Sequence, residues 1–203
     1  MASQIVTGLD IGSTNTAVVI ADVGGDSLGE MTVKVLGVGQ ARTSGVRREV
    51  VTDIEATTES VRKAVKEAEL MAGVTVDRLY TGIAGEHVHG RASTGGVAMG
   101  GAEITARDVD RVHEVARAVV VPADREVLHA IPQEYLVDAQ GGIRHPVRMA
   151  GTRLEAEVYM LTMSATAAQN IRKSVDRAGY QIGPMGRPHP GDELPGEQAR
   201  LRA

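Results

Sequence analysis

The sequence predicts a mixed α/β protein, a sheet packed with helices, into which a smaller α+β unit is inserted. Three observations carry that prediction. Residues 1–84 read as β-β-β-α-β, residues 85–163 read as a Gly-rich α+β stretch, and a helix resembling the first one in pattern follows at 166–178. A meander followed by a helix and a returning strand covers one face of a mixed sheet, so the middle stretch is expected to interrupt a single larger unit.

Each element has a local reason. Apolar residues 5–9 and 17–20 flank the small, polar run Asp10-Ile11-Gly12-Ser13-Thr14-Asn15, the pattern of a β-hairpin. A third strand is predicted at 32–39, after the turn-forming Gly24-Gly25-Asp26, and residues 40–51 read as a loop carrying Arg42, Arg47 and Arg48. Asp53 stands where an N-cap belongs. Ile54, Val61, Val65, Ala68 and Ala72 follow on one helical face, Gly73 supplies the stop, and Glu59 and Lys63 pair at i, i+4 on the outer face. A strand is predicted at 77–84.

Residues 85–101 read as short strands with turns. Thr105, with Asp108 three residues on, resembles a capping box. Val109, Val112, Ala116 and Val119 then recur at helical spacing, with Pro122 ending the helix near Val120. Strands are predicted at 126–137 and 153–162, the first placed at an edge or bulge by Pro132. The last helix, at 166–178, puts Ala167, Ile171, Val175 and Ala178 on one face before Gly179. Beyond it the composition changes. Pro184, Pro188, Pro190 and Pro195 are four of the seven prolines, and 183–203 is expected to be disordered.

Composition excludes several classes. With 42% hydrophobic and 24% charged residues, the 203-residue chain is expected to be a folded globular protein. No apolar run approaches the roughly 20 residues of a membrane span, and no basic segment precedes an apolar one at the start, so a cytoplasmic address is expected. The absence of cysteine removes disulfides, thiol nucleophiles and thiolate metal sites. A net charge of -4 and four aromatic residues, all Tyr, argue against a nucleic-acid partner.

The strongest chemical candidate is the stretch at 9–16. A carboxylate at a strand end, followed by Gly and small hydroxyl residues in a tight turn, presents backbone N–H groups to a phosphate and leaves Asp10 to hold magnesium through water. The ordinary alternative is a plain hairpin turn. His87 and His89 alternate on a predicted strand as half of a metal site, although two histidines do not close one; His113 and His129 stand alone. Arg144, His145, Arg148 and Arg153 form a basic cluster, read as a solvated loop or as a contact for a protein or an anionic surface, and the loop with Arg42, Arg47 and Arg48 reads the same way or as facing a nucleotide cleft. There is no Gly-x-Ser-x-Gly, Gly-x-x-x-x-Gly-Lys or Gly-x-Gly-x-x-Gly motif, and Gly37-Val38-Gly39 lacks the third glycine of the last.

The hairpin Gly8-Leu9-Asp10-Ile11-Gly12-Ser13-Thr14 resembles the first phosphate motif of the actin, heat-shock chaperone and sugar-kinase superfamily. Within that superfamily the chain resembles the FtsA family of bacterial cell-division proteins. The carriers are Gly37-Val38-Gly39 with Ser44-Gly45-Val46-Arg47, Glu67-Ala68-Glu69-Leu70-Met71-Ala72-Gly73, and His129-Ala130-Ile131-Pro132-Gln133-Glu134-Tyr135. The last run continues through Asp138, Gln140, Gly142-Ile143, Pro146 and Gly151 to Arg153-Leu154-Glu155.

The resemblance implies an actin/ribonuclease-H-like half-domain. Residues 1–84 with 164–182 correspond to subdomain 1A, and 85–163 to the inserted subdomain 1C. It also implies ATP and magnesium bound between two halves, with Asp10, Gly12, Ser13, Thr14 and Asn15 at the phosphates and Asp10 at the metal. Partners implied are other copies of the chain and later division proteins through 1C, FtsZ through a subdomain that the resemblance does not cover, and the inner membrane through a C-terminal amphipathic helix. This chain departs from the family at Asn15, where Lys is usual, and at His145 and Arg148, where Asn and Gly are usual.

The resemblance ends near Ile182, before the second phosphate motif, so the fold is expected to be incomplete and ATP binding weak or absent. No catalytic residue, no FtsZ contact region and no direct membrane binding are expected in the chain itself. The competing readings are a pilus-assembly protein of the same fold, a superfamily phosphotransferase, and a truncation product whose sheet lacks its last strand.

Overall fold

The computed structural model describes residues 4–25, 30–82, 85–118 and 121–183. They fall into two compact units, His87–Ala165 and the residues on either side of it in sequence.

In the first unit, β1 (Gln4–Ile11), β2 (Asn15–Gly25) and β3 (Met31–Arg42) form an antiparallel meander, in register from Ile11↔Thr16 to Gln4↔Val23 and from Asn15↔Arg42 to Gly25↔Met31. The meander is joined by β6 (Arg78–Thr81) and β11 (Gln181–Ile182), both parallel to β1, giving the order β11-β6-β1-β2-β3. A β-bulge between Ile20 and Ala21 leaves Leu36 unpaired in the ladder. One competing reading gave the sheet no last strand; the two-residue β11 stands beside β6 at that edge. Gln181 lies against Arg78 and Ile182 against Leu79.

The predicted loop at 40–51 is corrected. β3 runs on to Arg42, and β4 (Val46–Arg47) with β5 (Val50–Val51) forms a separate two-stranded hairpin.

α1 (Ile54–Ala72) starts where Asp53 accepts the Ala56 N–H at 3.0 Å and ends at Gly73, left-handed at φ 70°. Its face of Val61, Ala64, Val65 and Ala68 meets Leu9, Val18 and Ile20 of the sheet, together with Val175 and Ala178 of α3 (Ala165–Ala178). The two helices are tied by the Thr58 hydroxyl, which donates to the Ser174 carbonyl at 3.1 Å, and by the Arg177–Glu55 ion pair.

In the second unit, β7 (Val88–Ala98), β8 (Arg125–Val137), β9 (Gln140–Ile143) and β10 (Arg153–Ser164) form an antiparallel sheet of order β7-β10-β8-β9. Where short strands with turns were expected at 85–101, β7 is one continuous strand, because residues 88–98 pair with β10 along their whole length. Pro132 does fall at a bulge. Glu157 faces Glu134 and Val158 faces Pro132, leaving Gln133 out of step.

α2 (Ala106–Arg117) begins with the predicted capping box, Thr105 and Asp108 each bonding the other's backbone N–H. It buries Val112 and Ala116 on Val97, Tyr135, Leu154, Ala156, Val158 and Met160. Its close approach explains Gly95, where an added Cβ would lie 2.3 Å from the Ala116 nitrogen. The helix stops at Arg117, three residues before the expected end, and the Ser93 hydroxyl donates to the Ala116 carbonyl there at 2.8 Å. Residues 83–84 of the predicted strand, Val119, Val120 and the proline-rich segment 184–203 lie outside the described residues.

Candidate functional site

β1 and β6 are parallel neighbours, so their C-terminal ends emerge on the same side of the sheet. Between these ends lies a cleft of about 290 Å³. Asp10, Ile11 and Gly12 line it from β1, Thr81 and Gly82 from the end of β6, Val46, Glu49 and Val51 from the β4–β5 hairpin, and Ile171 from α3.

The turn at 12–14 is fixed by three hydrogen bonds. The Gly12 N–H donates to the Asn15 carbonyl at 3.0 Å, the Thr43 N–H to the Thr14 carbonyl at 2.8 Å, and the Glu49 N–H to the Ser13 hydroxyl at 3.0 Å. Beneath it the Thr16 and Thr43 hydroxyls bond each other at 2.8 Å in a buried position. Gly12 is closely packed, an added Cβ lying 3.0 Å from the Asn15 carbonyl oxygen.

The β4–β5 hairpin is held over the cleft at its base and through its core. Gly45, at φ 83°, accepts the Thr52 and Asp53 N–H groups at 2.7 and 3.0 Å, and a Cβ there would lie 2.4 Å from the Asp53 carbonyl oxygen. Val46 and Val51 are buried against Ile171, with Ile11, Ile54 and Ile182 beside them. The two central residues of the hairpin, Arg48 and Glu49, both have positive φ, 47° and 63°. That is the backbone of a tight two-residue hairpin turn, usually met by Asn-Gly.

Of the expected site residues, Asp10 and Gly12 line the cleft, while Ser13, Thr14 and Asn15 stand exposed on its rim. Asp10 and Glu49 are both among the residues that line the cleft, and no lysine or arginine is. Glu49, Thr81, Gly82 and Ile171 were not among the sequence candidates. Thr81 and Gly82 reach the site only through the β1–β6 pairing, across some 70 residues, which no local pattern reports. Glu49 had a local signal, the apolar pairs Val46 and Val50-Val51 around a two-residue turn.

The other candidates lie elsewhere. His87 precedes β7, with both ring nitrogens buried and without a hydrogen-bond partner among the described residues, whereas His89 is exposed on the strand. Among the described residues no three His, Asp or Glu side chains come together to hold a metal. His113 Nε2 and the Tyr135 hydroxyl are 2.7 Å apart, which pins α2 to β8. Of the basic cluster, Arg153 is paired with Glu155 at 2.6 Å, and the Arg148 N–H donates to the Ile104 carbonyl at 2.8 Å; Arg144 and His145 are exposed. No helix among the described residues is long and apolar enough to cross a membrane.

Residues 85–162 match the SHS2 domain inserted in FtsA. The cell division protein FtsA of Pseudomonas aeruginosa is 38% identical over 181 residues, covering 89% of this chain and 42% of that protein. FtsA of Escherichia coli K12 is 35% identical over 179 residues, 88% of this chain and 42% of that protein. The chain thus spans about two-fifths of the length of the curated relatives it matches. Among solved structures, a chain of the PilM-PilN type IV pilus biogenesis complex superposes with a TM-score of 0.57 at 14% identity, over 87% of this chain and 45% of that one, a likeness of fold. The mixed α/β architecture is accordingly the actin-like one. Residues 85–162 are accordingly similar to the SHS2 domain inserted in FtsA, and about nine-tenths of the chain is similar to some two-fifths of the FtsA cell-division proteins.

Proposed function

We propose that this chain is an assembly module of the bacterial division machinery. Its SHS2 unit contacts further copies of the chain and later division proteins, and its other unit supplies one wall of an ATP site. In this reading the chain acts as a scaffold at the FtsZ ring and performs no catalysis of its own. The observation that carries the reading is the SHS2 match over residues 85–162, set within 35–38% identity to FtsA on both sides of it.

The ATP part of the proposal assigns the phosphates to the turn. Gly12 gives the turn its close backbone approach, Ser13, Thr14 and Asn15 supply backbone and side-chain donors, and Asp10 holds magnesium through water. The donor set fits a phosphate only in part. The Gly12 N–H is already given to Asn15, so the Ser13 and Thr14 amides and hydroxyls remain the principal donors on the rim. A carboxylate pair in the cleft without a lining cation favours a nucleotide that arrives with its metal. One such wall against an association cost of about 4 kcal/mol or more gives a weak site.

The division role is tested by expressing the full chain as a fluorescent fusion in dividing cells that carry their own FtsZ. Mid-cell bands that disappear when residues 87–165 are deleted support the assignment of contacts to the SHS2 unit. Diffuse fluorescence of the intact chain, with the fusion shown to be folded, overturns it.

A further inference from the structure

We propose that Arg42 and Arg48 are the cations that bind phosphate at the 12–15 turn. The proposal rests on the reading of that turn as a phosphate site and deepens it by naming the charged groups that the cleft lining lacks.

Both arginines are attached to the turn through the backbone, one on each side. Arg42 is the register partner of Asn15 in the β2–β3 ladder, and the next residue, Thr43, gives its N–H to the Thr14 carbonyl. Directly opposed residues of an antiparallel pair carry their side chains on the same face, about 5 Å apart at Cβ, within easy reach of a long side chain. On the other side, Arg48 precedes Glu49, whose N–H is bonded to the Ser13 hydroxyl at 3.0 Å.

The two guanidinium groups are also unengaged. Arg62, Arg111, Arg153 and Arg177 are each held by a carboxylate. Arg42 and Arg48 are exposed, and among the described residues neither side chain has an ion pair or hydrogen bond. A surface arginine is commonly idle, so exposure alone says little. Here the charge balance adds to it. A polyphosphate entering beside Asp10 and Glu49 meets two negative groups, and one magnesium ion offsets only part of the sum.

Arg48 carries a further mark. It and Glu49 hold a left-handed backbone that Asn-Gly would adopt with less strain, and strained non-Gly residues are concentrated where function requires a particular side chain. Arg47 serves as the internal contrast. It alternates with Val46, which lines the cleft, so its side chain lies on the opposite face of the hairpin.

The test is an NMR titration of the full isotope-labelled chain with magnesium tripolyphosphate and with Mg-ATP. The expected result is shifts at the Ser13, Thr14 and Glu49 amides with a dissociation constant of about 1 mM for both ligands. Arg42→Ala and Arg48→Ala each weaken binding about fivefold, the loss expected for an exposed charge-assisted contact, whereas Arg47→Ala changes it by less than about twofold. Asn15→Lys, placed in the Arg42→Ala background, restores affinity, since it returns a cation to the same register position. Unchanged resonances elsewhere show that each variant is folded. Shifts at the turn with undiminished affinity in both arginine variants overturn the arginine assignment and leave the phosphate reading standing. No shift at the turn in the unsubstituted chain overturns the phosphate reading, and this proposal with it.

Discussion

A Cβ added at Gly39 would lie 1.9 Å from the Ala64 carbonyl oxygen and 2.6 Å from the Ala68 nitrogen, both backbone atoms of α1. Gly37 is similarly placed against Ala68 and Ala72. The pair is therefore the seat of α1 on β3, which explains a Gly-Val-Gly that does not continue into a nucleotide fingerprint. Gly39→Ala is expected to cost about 3 kcal/mol, since helix backbone cannot move aside as a flexible side chain can, and urea denaturation reads it. Asp138 is a second sensitive residue. Its carboxylate accepts from the Thr152 hydroxyl at 2.6 Å and from the Thr152 and Arg153 N–H groups at 2.9 Å. These bonds, the Thr152 hydroxyl foremost, hold its pKa below the ordinary 3.8. A depressed carboxylate stabilises the fold above its unfolded pKa, and that contribution is lost as pH falls through the lower folded value. Asp138→Asn should accordingly show a smaller drop in urea midpoint between pH 7 and pH 3 than the unsubstituted chain. An equal drop would remove Asp138 from the account.

At the scale of the element, the sequence is most readable where a cap or a period is local. Asp53, Gly73, and the Thr105 and Asp108 box fix their helices at the expected ends because each acts within four residues of the helix it terminates. The hairpin over the cleft was only faintly legible, from Val46 and Val50-Val51 on either side of it. Its central Arg48-Glu49 lacks the Gly or Asn that announces such a turn, and it is held by tertiary packing of Val46 and Val51 on Ile171. The candidate site was half legible for the same reason. Asp10, Gly12 and Ser13 stand in one local motif, whereas Thr81, Gly82 and Ile171 arrive through strand pairing and helix packing. Replacing Arg48-Glu49 by Asn-Gly should relieve the left-handed strain and stabilise the chain by about 1 kcal/mol or more. A thermal melt that falls instead of rising would show that the turn is not strained.

At the scale of the whole molecule, the continuous SHS2 unit and the discontinuous unit around it each have their own core, Leu154, Val158 and Met160 in one and Leu9, Val18 and Val65 in the other. The β-β-β-α-β order announced the second of these, but closure of its sheet by β11 depends on two residues, Gln181 and Ile182, too few to read as a strand from sequence. The ends of β1 and β6 share one sheet through their own direct pairing, and that sheet is the platform on which the 12–15 turn sits. The platform offers a single wall, lined by two carboxylates, and the chain matches about two-fifths of its relatives' length. The most direct measurement is isothermal titration of the full chain with Mg-ATP. The account predicts a dissociation constant of about 1 mM, matched by magnesium tripolyphosphate because only the phosphates are held. Micromolar binding that tripolyphosphate fails to reproduce would contradict it, because the chain would then hold the nucleoside as well and carry a complete site.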